Sequence, residues 1–378
     1  MRQSMVVRAE RQSNLELMRI VLMLLIIAHH YVVNSGALAL LPEGARSNAL
    51  FLLVFGMWGK AAINAFVLVT GYFMCTSRLT WVKVLRLWLQ TKFYRLTIFL
   101  IFAAVGYEIL SISGLLHVLF NLAENVGNGF TSSFFVFYLF IPFLNKLISA
   151  LDRLELDRLL ALLLAVFVGT VTLFESRAFN EVCWYVVLYL LAARIRLYPS
   201  RLTESRFATK VFFWASVALS VLSVIFLGLE GLDRADPVLA YYFIIDSSKL
   251  MAFLSGLSCF LFFKNLSMPR NAFVNSVAST TYGVLLIHAS SSAMRQFLWG
   301  DLLDVTGAFS LPLPALVLHA LCSVVGVFAV CSLIDYVRLT LLERPLFAWI
   351  GAHRVDIESS CLRAGERLGG LLGRLARF

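Results

Sequence analysis

The chain has 378 residues, of which 60% are hydrophobic and 14% charged, where soluble domains carry about a quarter charged residues. Its apolar runs recur with too few polar faces to cover separate soluble cores, so one membrane-embedded body is expected rather than two soluble domains. The net charge of +10 is spread between those runs instead of forming one basic patch with its own fold, which argues against nucleic acid as the partner.

The first apolar run, 14–35, follows a basic segment, as a signal peptide would. It contains Glu16, Arg19, His29 and His30, and similar runs continue along the chain, so it is read as a retained first helix. In ELMRIVLMLLIIAHH, Arg19 and His30 are eleven residues apart, close to three helical turns. They share one face, separated by about 16 Å along the axis. Arg19 could meet an anion with its fork of donors, and His30 could take a proton from a hydroxyl nucleophile. The opposing reading is that Arg19 snorkels to the headgroups and His29 and His30 belong to the interface. Glu16, three residues before Arg19, either joins this catalytic group or pairs with Arg19.

The second run, 50–74, ends in INAFVLVTGYFM, with Tyr72. The connection into the third run, 86–110, reads RLTWVKVLRLWLQTKFYR and carries Lys83, Arg86, Lys92 and Arg95 among aromatic residues. It is suited either to the phosphates of a nucleotide-like donor or to anchoring at the cytoplasmic interface. Runs at 131–150, 158–174, 180–197 and 209–229 follow. The eighth, 240–264, places Asp246 and Lys249 three residues apart on an expected helix, either as a packing pair or as part of a site. The ninth, 277–298, contains TYGVLLIH, and a single intramembrane histidine such as His288 marks either a site or an interhelical hydrogen bond. A tenth run, 313–341, precedes a basic tail, 351–378, in which leucines alternate with arginines; it reads as a helix lying on an anionic leaflet or as an unstructured segment. The six cysteines lie far apart with no metal-ligand spacing, so neither a disulfide framework nor a metal site is expected.

Ten runs make the expected fold an all-α polytopic membrane protein of about ten transmembrane helices, with a membrane domain over 1–350. Charge asymmetry orients it. With the N-terminus inside, the cytoplasmic segments hold 25 Lys and Arg and the opposite loops 3, in strict alternation, which puts both termini in the cytoplasm.

The pattern of a charged residue, Leu-x-Arg, ten residues and His resembles the start of the integral membrane acyltransferase 3 family. The block through Phe66, Gly71 and Tyr72, with Thr70 for the usual Ser, is similar to that family's Phe-rich Ser-Gly-Tyr stretch. Lys83-x-x-Arg86 and Lys92-x-x-Arg95 resemble its cytoplasmic basic motif, FFVFYLFIPFLNKL its block ending in Pro-Phe-Leu-Asn, and TYGVLLIH its late helix. Two differences stand out: Ser132, Ser133 and Phe134 occupy the place of a frequent Trp, and Ala192 that of a Gly.

The resemblance implies an O-acyltransferase of a bacterial plasma membrane, with no permanently bound cofactor. Its donor would be cytosolic acyl-CoA, often acetyl-CoA, and its acceptor a hydroxyl of an envelope polysaccharide or its lipid-linked precursor. Arg19, Lys83, Arg86, Lys92 and Arg95 would hold the CoA phosphates. His30 would be general base or acyl carrier, with His29, His288, Tyr72, Asp246 and Lys249 as further candidates. A flippase or secondary transporter would also have ten helices and buried charges, but it should show a repeat or paired broken helices in two halves, and neither is evident in the sequence.

Overall fold

A computed structural model describes residues 11–120, 126, 129–176 and 180–353. Among them every regular element is a helix. Six stretches are long and apolar enough to cross a membrane: Ser13–Val33, Arg46–Met74, Phe130–Ala150, Arg153–Phe174, Arg206–Asp233 and Leu313–Ala352. The other four expected runs have different local structures. Trp81–Ala104 is a 24-residue helix that carries Lys83, Arg86, Lys92 and Arg95. Glu181–Leu197 has 17 residues. Before Leu250–Lys264 the chain is non-helical over 242–249, and the ninth run is broken into Ala272–Ala278, Thr281–His288 and Ser292–Arg295.

The chain divides into two compact units, Met1–Cys331 and Ser332–Phe378. In the second, Arg338 bonds Asp335 at 2.7 Å and Glu343 at 2.5 Å, which sets one guanidinium between two carboxylates beside an apolar helix surface. The expected surface helix of the basic tail falls almost entirely on 354–378, outside the described residues.

Helix α1, Ser13–Val33, has no Gly or Pro to interrupt it and packs against most of the inner elements of the first unit. These include α2 (Arg46–Gly56), α3 (Gly59–Met74), Leu250–Lys264 and Thr281–His288. Lipid is as apolar as leucine, so hydrophobicity alone does not select these partners; close packing and polar contacts do. At the start of α1 the Ser13 hydroxyl donates to Asn275 Oδ1 and accepts from the Asn271 N–H, both at 2.9 Å. Asn14 donates to the carbonyls of Phe263 (2.9 Å) and Lys264 (3.0 Å). These contacts set the rotation of α1, and with it the direction in which its histidines point.

Small residues allow further close approaches. A Cβ at Gly71 would press on Ala192 Cβ and on the Tyr189 backbone, so α3 and Glu181–Leu197 meet almost backbone to backbone. Ala192, where the family pattern has Gly, is accommodated because Gly71 supplies the missing space. Hydroxyl pairs Ser216–Ser258 (2.5 Å) and Ser220–Ser255 (2.9 Å) join Arg206–Asp233 to Leu250–Lys264. The opposite face of Arg206–Asp233 exposes Phe207, Trp214, Leu222 and Phe226, as a lipid-facing helix should.

Two interruptions leave backbone groups that need partners. Between α2 and α3 the helix breaks at Met57–Trp58, and His29 Nδ1 donates to the freed Gly56 carbonyl at 2.5 Å. In 242–252, Asn64 donates to the carbonyls of Ser247 (2.7 Å) and Ala252 (3.1 Å), while Trp184 Nε1 donates to Asn64 Oδ1 at 2.9 Å. Asp246 and Lys249 are therefore not three apart on a helix. Asp246 caps a turn, accepting from Ser248 N–H (3.1 Å) and Oγ (3.2 Å), and the Lys249 ammonium lies 4.0 Å from the centre of the Tyr242 ring.

Candidate active site

The centre of the site is a pair of histidines from α1 and Thr281–His288. His30 Nδ1 and His288 Nε2 are 3.0 Å apart, with ring centroids at 5.1 Å, although the residues are 258 positions apart in sequence. His288 is fully buried, and its Nδ1 is 2.6 Å from the Val284 carbonyl one turn earlier. The carbonyl can only accept, so His288 Nδ1 carries a hydrogen and, in the neutral ring, Nε2 is the acceptor. His30 Nδ1 must then donate, which leaves the lone pair of His30 Nε2 without a partner among the described residues. The network assigns these tautomers by donor and acceptor matching.

His29 points elsewhere. Its Nδ1 is committed to Gly56, and its ring fills the space that a side chain at Gly59 would need. The 100° between successive helical residues separates the two roles: His29 closes a break in a neighbouring helix, and His30 faces His288. Lys60, one residue beyond Gly59, is 3.6 Å from Glu181, whose carboxylate also accepts from Tyr185 at 3.1 Å.

Three turns before His30, Arg19 is about one-third exposed and 3.3 Å from Glu16, which Arg11 also approaches at 4.0 Å. Glu16 thus aligns Arg19 while leaving part of the guanidinium accessible. On Trp81–Ala104, Lys83 and Arg86 are exposed and Arg95 is half-buried, and Lys83 donates to the Arg78 carbonyl at 3.0 Å. Lys92 is buried, and its ammonium donates to the Val118 carbonyl at 2.9 Å, near the C-terminus of Ile112–Phe120, where a cation complements the helix dipole. Tyr72 accepts a hydrogen bond from Arg196 Nη1 at 2.8 Å, with the guanidinium 4.7 Å from the ring centre.

The structure therefore brings His30 and His288 together, and Arg19 with Glu16. The partners given above for Tyr72, Asp246 and Lys249 do not include either histidine of the pair. Sequence reasoning did not single out Tyr31 and His319, whose Oη and Nδ1 are 2.8 Å apart, or Trp299, whose ring meets Tyr31 edge-on at 6.0 Å. His319 carried a readable signal, a lone histidine in LVLHALC; Tyr31 and Trp299 carried none beyond being aromatic.

No curated protein and no solved structure matches the chain. The family model described as an acyltransferase domain matches residues 12–336, a span that includes Arg19, His30 and His288. The chain is a membrane acyltransferase and belongs to the acyltransferase 3 family.

Proposed function

We propose that the protein moves an acyl group, in the first instance acetyl, from cytosolic acyl-CoA to a hydroxyl of an envelope polysaccharide or its lipid-linked precursor. Ten membrane crossings with both termini cytoplasmic, in a bacterial plasma membrane, complete the reading. The observation that carries it is the hydrogen-bonded order Val284 carbonyl, His288, His30, because it leaves His30 Nε2 as a base with a fixed direction. In the step proposed, His30 Nε2 takes the acceptor hydroxyl proton while the oxygen attacks the thioester carbonyl. The C–S bond then breaks, and the imidazolium returns the proton to the departing CoA thiolate. Throughout, His30 Nδ1 stays bonded to His288, which stabilises the transient cation. No acyl-enzyme is required.

Arg19 is about 16 Å from His30 along α1, a separation that an extended pantetheine arm can bridge. With Glu16 holding one side of it, Arg19 would grip the CoA phosphates together with Lys83, Arg86 and Arg95. Lys92 would act on the same helix by holding Ile112–Phe120. The test is transfer of label from acetyl-CoA to base-labile ester on envelope glycan, in membranes with and without the protein. No protein-dependent ester would refute the reading.

A further inference from the structure

Past His288 the chain leaves regular α-helix. Ala289–Ser291 is non-helical, Ser291 caps the single turn Ser292–Arg295 by accepting from the Met294 N–H at 3.2 Å, and Gln296–Leu302 is wound as a π-helix. Such turns are uncommon and occur often at functional sites. This one is braced from two sides: Asp301 accepts from Tyr107 Oη at 2.6 Å and from Gln296 Nε2 at 3.2 Å.

Two donors in this segment, Ser290 Oγ and Trp299 Nε1, are buried and have no hydrogen-bond partner among the described residues. Trp299 has no exposed surface, and an indole N–H can only donate, so rotation cannot satisfy it. A buried donor left unpaired by the chain needs an explanation, and a ligand acceptor is one. Trp299 packs on Tyr31, the residue after His30, and Tyr31 is itself engaged by His319.

Charge adds an independent observation. Lys60 follows the Gly59 that the His29 ring covers, and Arg295 ends the turn Ser292–Arg295, seven residues past His288. Lys60 is offset by Glu181, whereas Arg295 makes no ion pair with a described residue. The segment that follows His288 therefore holds a cation without an ion pair and two buried donors without acceptors among the described residues, a combination suited to an oxygen-rich anion.

We propose that Ser290, Arg295 and Trp299 form the acceptor subsite, and that the acceptor is an anionic saccharide with a carboxylate or phosphate close to the hydroxyl that is acylated. The inference rests on His30 acting as the base in acyl transfer. It names the substrate class and a side of the site that the family motifs leave open.

The experiment compares wild type with Trp299→Phe, Arg295→Gln and Arg295→Lys. Membranes of equal protein abundance receive labelled acetyl-CoA, and ester on glycan is counted with and without three competitors: methyl β-glucuronide, glucose 6-phosphate and neutral methyl β-glucoside. In parallel, the rise in melting temperature that CoA gives each purified variant reports the donor side. The expected result is at least a tenfold loss of transfer for Trp299→Phe and Arg295→Gln, partial retention for Arg295→Lys, and an unchanged CoA shift in all three. At least one charged competitor should inhibit wild type, the neutral one should not, and Arg295→Gln should lose that discrimination. Transfer within threefold of wild type in both neutralising variants overturns the subsite while leaving the proposed reaction standing. So does loss of the CoA shift, which marks general damage. Equal inhibition by neutral and charged sugars, or inhibition by none, overturns the anionic acceptor. Absence of transfer in wild type removes the reaction and the subsite together.

Discussion

Replacing His288 tests the site geometry most closely. His288→Leu keeps an apolar side chain of similar reach but removes the acceptor 3.0 Å from His30 Nδ1. When His30 takes a proton it becomes a cation, and a hydrogen bond to a charged group is worth about 1.5–3 kcal/mol. Losing that bond only in the transition state lowers kcat by about 10- to 150-fold, at about 1.4 kcal/mol for each factor of ten. The KM for acyl-CoA should hold, because the proposed function places the donor phosphates three turns away at Arg19. His288→Gln offers a carbonyl oxygen to the same N–H and should recover part of the loss. The assay is initial-rate transfer from labelled acetyl-CoA in proteoliposomes carrying extracted glycan, with folded protein matched by size exclusion. A His288→Leu enzyme within threefold of wild-type kcat, or one whose defect lies wholly in KM for the donor, would refute the argument that His288 orients His30.

Other outcomes follow from the same structure. Arg19→Ala should raise the KM for acyl-CoA at least tenfold, with Arg19→Lys intermediate because a point charge cannot reproduce the guanidinium fork; equal KM values would leave Arg19 as an interfacial anchor. His29→Ala should keep a readily measured rate but lower the melting temperature, since the Gly56 carbonyl loses its donor at a cost of about 1–3 kcal/mol; a catalytic loss matching that of His30→Ala would show that the roles are reversed. Asn64→Leu removes a side chain bonded to Ser247, Ala252 and Trp184 and should destabilise by more than about 2 kcal/mol, read from thermal unfolding in detergent; an unchanged midpoint would mean that 242–249 is held by other contacts. Reporter fusions at 43 and 305 should read outside and those at 80 and 200 inside, and one reversed site would break the ten-span topology.

The helical class and the shared face of Arg19 and His30 were legible because hydropathy and a period of 3.6 are local properties. The partnership of His30 with His288 was not, since it joins residues 258 apart through tertiary packing. A lone histidine in TYGVLLIH marked one end and the eleven-residue spacing from Arg19 marked the other, but nothing local paired the two. The assignment of Asp246 and Lys249 to a helix failed for a related reason: an apolar run can be unwound when a distant side chain, here Asn64, satisfies its carbonyls. Lys92 read as one of a row of cytoplasmic cations, yet its ammonium reaches a carbonyl on a helix that follows in the chain. Composition reports how many charges there are, while the backbone decides which of them already have partners. Interrupted helices also belong to transporters, but His29 and Asn64 close two of these breaks with protein side chains rather than leaving the carbonyls to a transported ion.

The most direct test of the central claim is ester formation on envelope glycan by wild type and by His30→Ala, in membranes of matched abundance supplied with labelled acetyl-CoA. The account predicts protein-dependent, base-labile label in wild type and a fall of at least about 100-fold in the variant, the lower bound for losing a proton-transfer catalyst. Undiminished transfer by His30→Ala, or no ester from wild type, would contradict it.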